Sequence, residues 1–368
     1  MDEKGHIKKA FVLSVILILT ITSINVLSID SKAESVQLPY PLYDAAAVRA
    51  GGDVYILGGF TPGEILDTIM CYNITNSKLI TLPVRLPAPV RTAMSVWDGT
   101  SVYMFGGIDY YETPLKRLVI FTPPDKIRQY DDFFTYGLKG ISPVWTGKFV
   151  YIFGNCVATA KCGQKNFLKL DPSTMNVTVM DNYLINGTSG SSVALAGRYA
   201  YIFGGLTKSG PTDSIYRFDT TTENLTQMKS KLPSPRFGAG ALFENGRIYV
   251  CGGKLNDITR TDEILVYEPE KDIISVSDAK LPYALSSRAY AKIGENKVLI
   301  CGGQKEKNSI MESFEIIDPQ AENNSHDSIL VPLVAVSITI AILTVAIIVL
   351  LKKRYGRKKD ETRIREES

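Results

Sequence analysis

Apolar positions along this chain fall into two kinds of run. Residues 10–27 and 329–351 are long and free of charge. Between them the apolar residues come in runs of four, and six such runs end on a glycine-bearing dipeptide. They are Val54-Tyr55-Ile56-Leu57 before Gly58-Gly59, Val102-Tyr103-Met104-Phe105 before Gly106-Gly107, and Val150-Tyr151-Ile152-Phe153 before Gly154-Asn155. Ala200-Tyr201-Ile202-Phe203, Ile248-Tyr249-Val250-Cys251 and Val298-Leu299-Ile300-Cys301 follow, before Gly204-Gly205, Gly252-Gly253 and Gly302-Gly303. The first glycines are 48, 48, 50, 48 and 50 residues apart. A fixed period of that length marks a repeat architecture. A continuous apolar run predicts a strand covered on both faces, as in a stack of sheets.

Each run is one member of a four-strand unit. A glycine-bearing turn such as Asp98-Gly99 or Asn245-Gly246 precedes it, and a further apolar stretch precedes the turn, which predicts a hairpin of strands A and B. A third strand, C, ends in a turn, as at Ile215-Tyr216-Arg217-Phe218-Asp219. A more polar strand D leads to a Leu-Pro element at Leu86-Pro87, Leu232-Pro233 and Leu281-Pro282. Four strands with the polar one outermost predict a propeller blade. The sixth unit runs out after strand C, at Asp318-Pro319, while Ser35-Val36-Gln37-Leu38-Pro39 near the start matches a D strand and its Leu-Pro element. The expectation is an all-β, six-bladed ring closed by the N-terminal strand, since without that clasp the ring ends in an open edge.

These motifs resemble the kelch-repeat family, whose units carry an apolar strand ending in Gly-Gly, then a Tyr-Asp-like strand end, then a Pro-x-x-Arg-like element. The resemblance covers about residues 35–320 and implies a kelch-type propeller. Two departures mark a divergent member. The tryptophan that kelch units place in the outer part of a blade is absent, with Leu79, Leu225 and Ile274 near its place, and Asn155 stands for a glycine.

The two long runs frame the propeller. Lys4, Lys8 and Lys9 precede the first, and Ser31-Lys32-Ala33 offers small residues for cleavage, so 1–33 reads as a signal peptide, with an uncleaved anchor as the alternative. The 23 residues of 329–351 span roughly 34 Å as a helix, enough to cross a membrane. Lys352, Lys353, Arg354, Arg357, Lys358 and Lys359 follow and place the tail 352–368 in the cytoplasm. The chain thus divides into a signal peptide, a propeller at 34–320, a stalk at 321–328, a transmembrane helix and a basic tail. Strand C of the last blade ends on the side of the AB and CD turns, and the eight-residue stalk reaches at most roughly 28 Å. The AB/CD face is therefore expected to point to the bilayer, and the BC/DA loops away from it.

Charge and composition then limit the chemistry. The formal charge is +3, but residues 34–351 hold 29 basic and 31 acidic side chains, which leaves no basic footprint for nucleic acid. The two histidines, His6 and His326, lie outside the predicted propeller. That argues against the imidazole copper site of the kelch-like galactose oxidase, a His-rich zinc site and a Ser-His-Asp triad. No cofactor is expected. The kelch resemblance leaves one enzymatic alternative, a carbohydrate-active propeller like the sialate mutarotases, to which no residue here can be matched.

The favoured expectation is a binding module for a protein or glycan, its contacts carried by loops on a rigid scaffold. Arg91, Arg236 and Arg288 follow the Leu-Pro elements and are candidates for a ring around the distal mouth that captures carboxylates; tying adjacent blades together is their other reading. Tyr40, Tyr43, Asp109, Tyr110, Tyr111, Glu112, Lys254 and Tyr283 map near the same face. Cys156 and Cys162 bracket the third BC loop, where they either pair in an oxidising compartment or remain two thiols. Cys251 and Cys301 replace a core residue of strand B and are expected to be buried. Asn73, Asn176, Asn186, Asn224 and Asn323 open glycosylation triplets.

Overall fold

The computed structural model describes residues 34–155, 166–181, 189–286, 289–295, 297–301, 303–305 and 313–317. All fall in the first of the chain's two units, Met1–Ala321. The expected signal peptide, stalk, membrane span and tail, and with them Arg288, Cys156, Cys162, Asn186 and Asn323, lie outside the described residues. Among the described residues every regular element is a strand, and no helix is long and apolar enough to cross a membrane.

The four-residue apolar runs are the second strands of antiparallel sheets, as the pattern predicts. Six four-stranded sheets form. Five are blades of unbroken chain, each ordered A-B-C-D; the first holds Ala46–Ala50, Asp53–Leu57, Thr68–Asn73 and Lys78–Arg85. The count of blades built from consecutive strands is therefore five rather than six, and the remaining sheet is composite. It joins Tyr290–Gly294, Lys297–Cys301 and Ser313–Ile317 to the N-terminal strand Glu34–Gln37, in the register Glu34↔Ile316 to Gln37↔Ser313.

Burial follows this arrangement. The four-residue apolar run of each B strand is buried at every position, whereas D strands alternate or face water. One core cluster lies between each pair of neighbouring sheets. The cluster that joins Val54, Ile56, Met70 and Tyr72 to Ala291, Leu299 and Cys301 links the first sheet to the composite one. The repeated tyrosines 55, 103, 151, 201 and 249 all sit in these layers. Cys251 and Cys301 are free and buried as expected, and burial pushes the Cys251 thiol up to about 12.

The Gly-Gly elements act as straps between sheets. The second glycine donates its N–H to the loop entering the next sheet: Gly59 to Val90, Gly107 to Leu138, Gly205 to Arg236, Gly253 to Leu285, and Gly303 to Leu42 across the closure. Asn155 has a physical reason in this scheme. Elsewhere a DA-loop N–H, such as that of Arg91 or Phe237, bonds the carbonyl after the Gly-Gly; in the third blade the N–H of Lys139 bonds Asn155 Oδ1 at 3.1 Å. The side chain supplies the acceptor.

Side chains lock the outer parts of the sheets together. Glu223, in the fourth CD turn, accepts from Lys169 Nζ and from Tyr151 Oη, both in the third blade. The Lys169 hydrogen bond, aided by Tyr151, holds the Glu223 carboxyl below its ordinary value. A carboxyl lowered by folding stabilises the native state above its ordinary range, and the contribution disappears as pH falls through the lowered value. Glu223→Gln is expected to cost about 1 kcal/mol at neutral pH. Urea titrations at a series of pH values are expected to show wild type and variant converging in acid.

Candidate functional site at the BC/DA mouth

The loops entering the inner strands pass through residues with left-handed backbone: Asp44, Thr92, Gly140, Gly190 and Gly238, with φ of 57, 55, 71, 67 and 65°. Their peptides are chained. Thr92 N–H donates to Asp44 O at 2.7 Å, Gly190 to Gly140 at 2.6 Å, and Gly238 to Gly190 at 2.7 Å. The residue before four of these left-handed positions bridges to the residue after a Gly-Gly: Tyr43 to Phe60, Arg91 to Ile108, Ser189 to Leu206 and Phe237 to Lys254. DA and BC loops therefore lie side by side at one end of the ring.

On one side of this mouth, charges from three successive DA loops and the BC loop of the second blade meet. Arg91 Nη1 donates to Asp44 Oδ2 at 3.1 Å, and Nη2 pairs with Glu112 Oε1. Glu112 Oε2 lies 3.5 Å from Lys139 Nζ. The guanidinium stands 5.2 Å from the centre of the Phe60 ring, which packs edge-on against Tyr43. Burial, with a smaller push from Asp44, raises the Tyr43 phenol. Beside Glu112, the turn Asp109–Thr113 is closed by Asp109 Oδ1, which accepts from the N–H groups of Tyr111 and Thr113 at 2.9 Å each. It holds Tyr110 and Tyr111 out in solvent, 73% and 84% exposed.

The backbone hydrogen bonds of the first half of the ring recur in the second at an offset of 146 residues. Gly58→Thr68 matches Gly204→Ser214, Gly59→Val90 matches Gly205→Arg236, and Gly106→Arg117 matches Gly252→Glu263. Gly107→Leu138 matches Gly253→Leu285, one residue further on. On this alignment Asp44, Arg91, Glu112 and Lys139 correspond to Gly190, Phe237, Ile258 and Ser286. The same loops close without any of the four charges, so the fold does not require them.

That alignment separates the two readings of Arg91 and Arg236. Arg236 corresponds to Val90, not to Arg91, and the two arginines differ in fate. Arg236 is 1% exposed and points into the next blade, with Nη2 on Glu263 Oε2 at 2.7 Å and Ser234 Oγ at 2.8 Å. It ties blades together, whereas Arg91 reaches the mouth. Tyr40 is half-buried, its hydroxyl 2.8 Å from Thr68 Oγ1. Lys254 lies 5.9 Å from the Phe237 ring centre, in the other half, and Tyr283 is exposed in a DA loop there. Asp44, Phe60 and Lys139 escape sequence reasoning because no motif marks them. Comparison of the chain with itself at an offset of 146 finds the charged set.

The glycosylation triplets differ in access. Asn176 and Asn224 are exposed, whereas Asn73 Nδ2 donates to Asp53 Oδ1 at 2.7 Å. Among the described residues no group of three or more His, Cys, Asp or Glu side chains is placed to hold a metal ion.

A family model described as "KLHDC2/KLHL20/DRC7 Kelch-repeats domain" matches residues 140–326, just over half of the chain, and a "Kelch motif" model matches 41–78. The chain belongs to the kelch-repeat family. The kelch propeller is also similar to the solved "Structure of YjhT", with 17% sequence identity, a TM-score of 0.63, and coverage of 76% of this chain and 96% of that one. At that identity the likeness concerns the fold alone. No curated protein matches this kelch chain significantly.

Proposed function

We propose that this protein is a single-pass membrane protein that presents a kelch propeller outside the cytoplasm and binds a protein or glycan through its BC/DA mouth. The observation that carries the reading is the charged set Asp44, Arg91, Glu112 and Lys139, present in one half of the ring and replaced by Gly190, Phe237, Ile258 and Ser286 in the other. A set that the scaffold does not need is free to serve recognition. Exposed Tyr110 and Tyr111 stand next to it, and aromatic residues with arginine are typical of contact surfaces. Membrane anchoring rests on the uncharged run 329–351 and the basic residues after it.

Full-length protein expressed on cells tests the reading, with glycan arrays and a library of secreted proteins as probes. Arg91→Glu and Tyr111→Ala are each expected to weaken capture of the recognised probe about tenfold or more while melting temperature stays within about 2 °C. A C-terminal epitope is expected to stain only after permeabilisation. Unchanged capture by both variants overturns the placement of the site, and a collapse in melting temperature assigns the residues to the scaffold.

A further inference from the structure

Resting on that reading of the mouth, we infer that Glu112 is a built-in competitor for a carboxylate-bearing ligand, occupying the cationic fork of Arg91 and Lys139. Its two carboxylate oxygens are divided between the cations, Oε1 to Arg91 Nη2 and Oε2 to Lys139 Nζ. This is the way a ligand carboxylate engages two positive groups. Arg91 is fixed for the purpose: Asp44 holds Nη1, and the Phe60 ring lies beside the guanidinium.

Scaffold stability does not account for Glu112. Its side chain is 56% exposed, and an exposed ion pair contributes little in water. Its backbone is left-handed, at φ 60°, which a residue with a Cβ adopts at a cost. The matching turn of the fifth blade closes through Asn256 Oδ1, which accepts from Ile258 and Thr259, and there Ile258 replaces the glutamate. Where the carboxylate is missing, Phe237 and Ser286 stand in place of Arg91 and Lys139, and the nearby guanidinium of Arg260 is turned inward onto Ser286 Oγ at 3.3 Å and Ile258 O at 3.2 Å. The glutamate therefore accompanies the fork rather than the turn. An incoming carboxylate must displace it, so the resting mouth is neutralised and selects ligands that offer more than one contact, with Tyr110 and Tyr111 adjacent.

The test uses full-length protein in detergent micelles and two probes, a fluorescent triglutamate peptide followed by anisotropy and glucuronate as its competitor. Glu112→Gln is expected to bind the acidic probe about fivefold more tightly than wild type. Arg91→Gln is expected to lose binding in both backgrounds. Whichever probe binds better assigns the carboxylate to a peptide or to a sugar. Equal or weaker binding by Glu112→Gln, with Arg91→Gln still abolishing it, overturns the competitor role and leaves the mouth as a binding site. Absence of binding by wild type and Glu112→Gln alike at millimolar probe overturns the carboxylate assignment, while capture on cells by the unaltered mouth decides the broader reading separately.

Discussion

Gly106→Ala is expected to destabilise the propeller by about 4 kcal/mol or more, a large share of the total stability of a typical domain. The reason is a contact with backbone rather than with a movable side chain. A Cβ at Gly106 lies 2.3 Å from Leu138 O and 2.5 Å from Leu138 Cβ, and φ is +55°. Leu138 O is the acceptor for Gly107 N–H at 2.9 Å, so any shift that relieves the clash breaks the strap between second and third blades. Leu138 is also buried in the core cluster between those blades with Phe105, Phe134 and Ile141. Gly147 supplies the control. It too has positive φ, at 86°, but open space around its Cβ position. Gly147→Ala therefore carries the backbone cost alone, about 1 kcal/mol. Urea denaturation of the two variants beside wild type measures the difference, and a Gly106→Ala midpoint close to that of Gly147→Ala refutes the close-packed strap.

The straps explain why so much of the fold is legible in the residues. Each Gly-Gly meets the next blade at a fixed place, so the period, the buried B strands and the N-terminal partner of the last sheet all follow from one repeated requirement for close backbone approach. Asn155 departs from that pattern only in composition, since its side chain replaces a backbone acceptor. The mouth was less legible for a related reason. Leu86 and Leu232 open matching elements, but Arg91 lies five residues after the first and Arg236 four after the second. In a loop where consecutive side chains take different directions, one position separates a guanidinium at the mouth from one inside a blade. Residue type suggested equivalence, whereas the offset of 146 between Leu86 and Leu232, matched by the carbonyl acceptors of Gly59 and Gly205, gives the true register. The short hairpins Phe60–Thr61/Glu64–Ile65 and Leu206–Thr207/Gly210–Pro211 likewise carry too few residues for a periodic signal.

That register yields the second large effect. Arg236→Val is expected to cost about 3 kcal/mol, because Gly252 O and Ser234 lose a donor and Glu263 loses its cation. The first half of the ring satisfies the same location differently. Val90 takes the place of Arg236, and Arg117 takes the place of Glu263, its Nη2 donating to Pro89 O at 3.1 Å and Ala88 O at 3.5 Å. The cation has moved from the DA loop to strand C, and the loop carbonyls replace the carboxylate as acceptors. The double variant Arg236→Val with Glu263→Arg transplants that solution onto Ser234 and Pro235, whose carbonyls correspond to those of Ala88 and Pro89. It is expected to recover at least half of the loss, a coupling of the size seen between residues in one hydrogen-bonded network. A double-mutant cycle by urea denaturation measures it. If the two substitutions simply add, the halves of the ring are not interchangeable at this interface, and the correspondence that singles out Asp44, Arg91, Glu112 and Lys139 loses its energetic support.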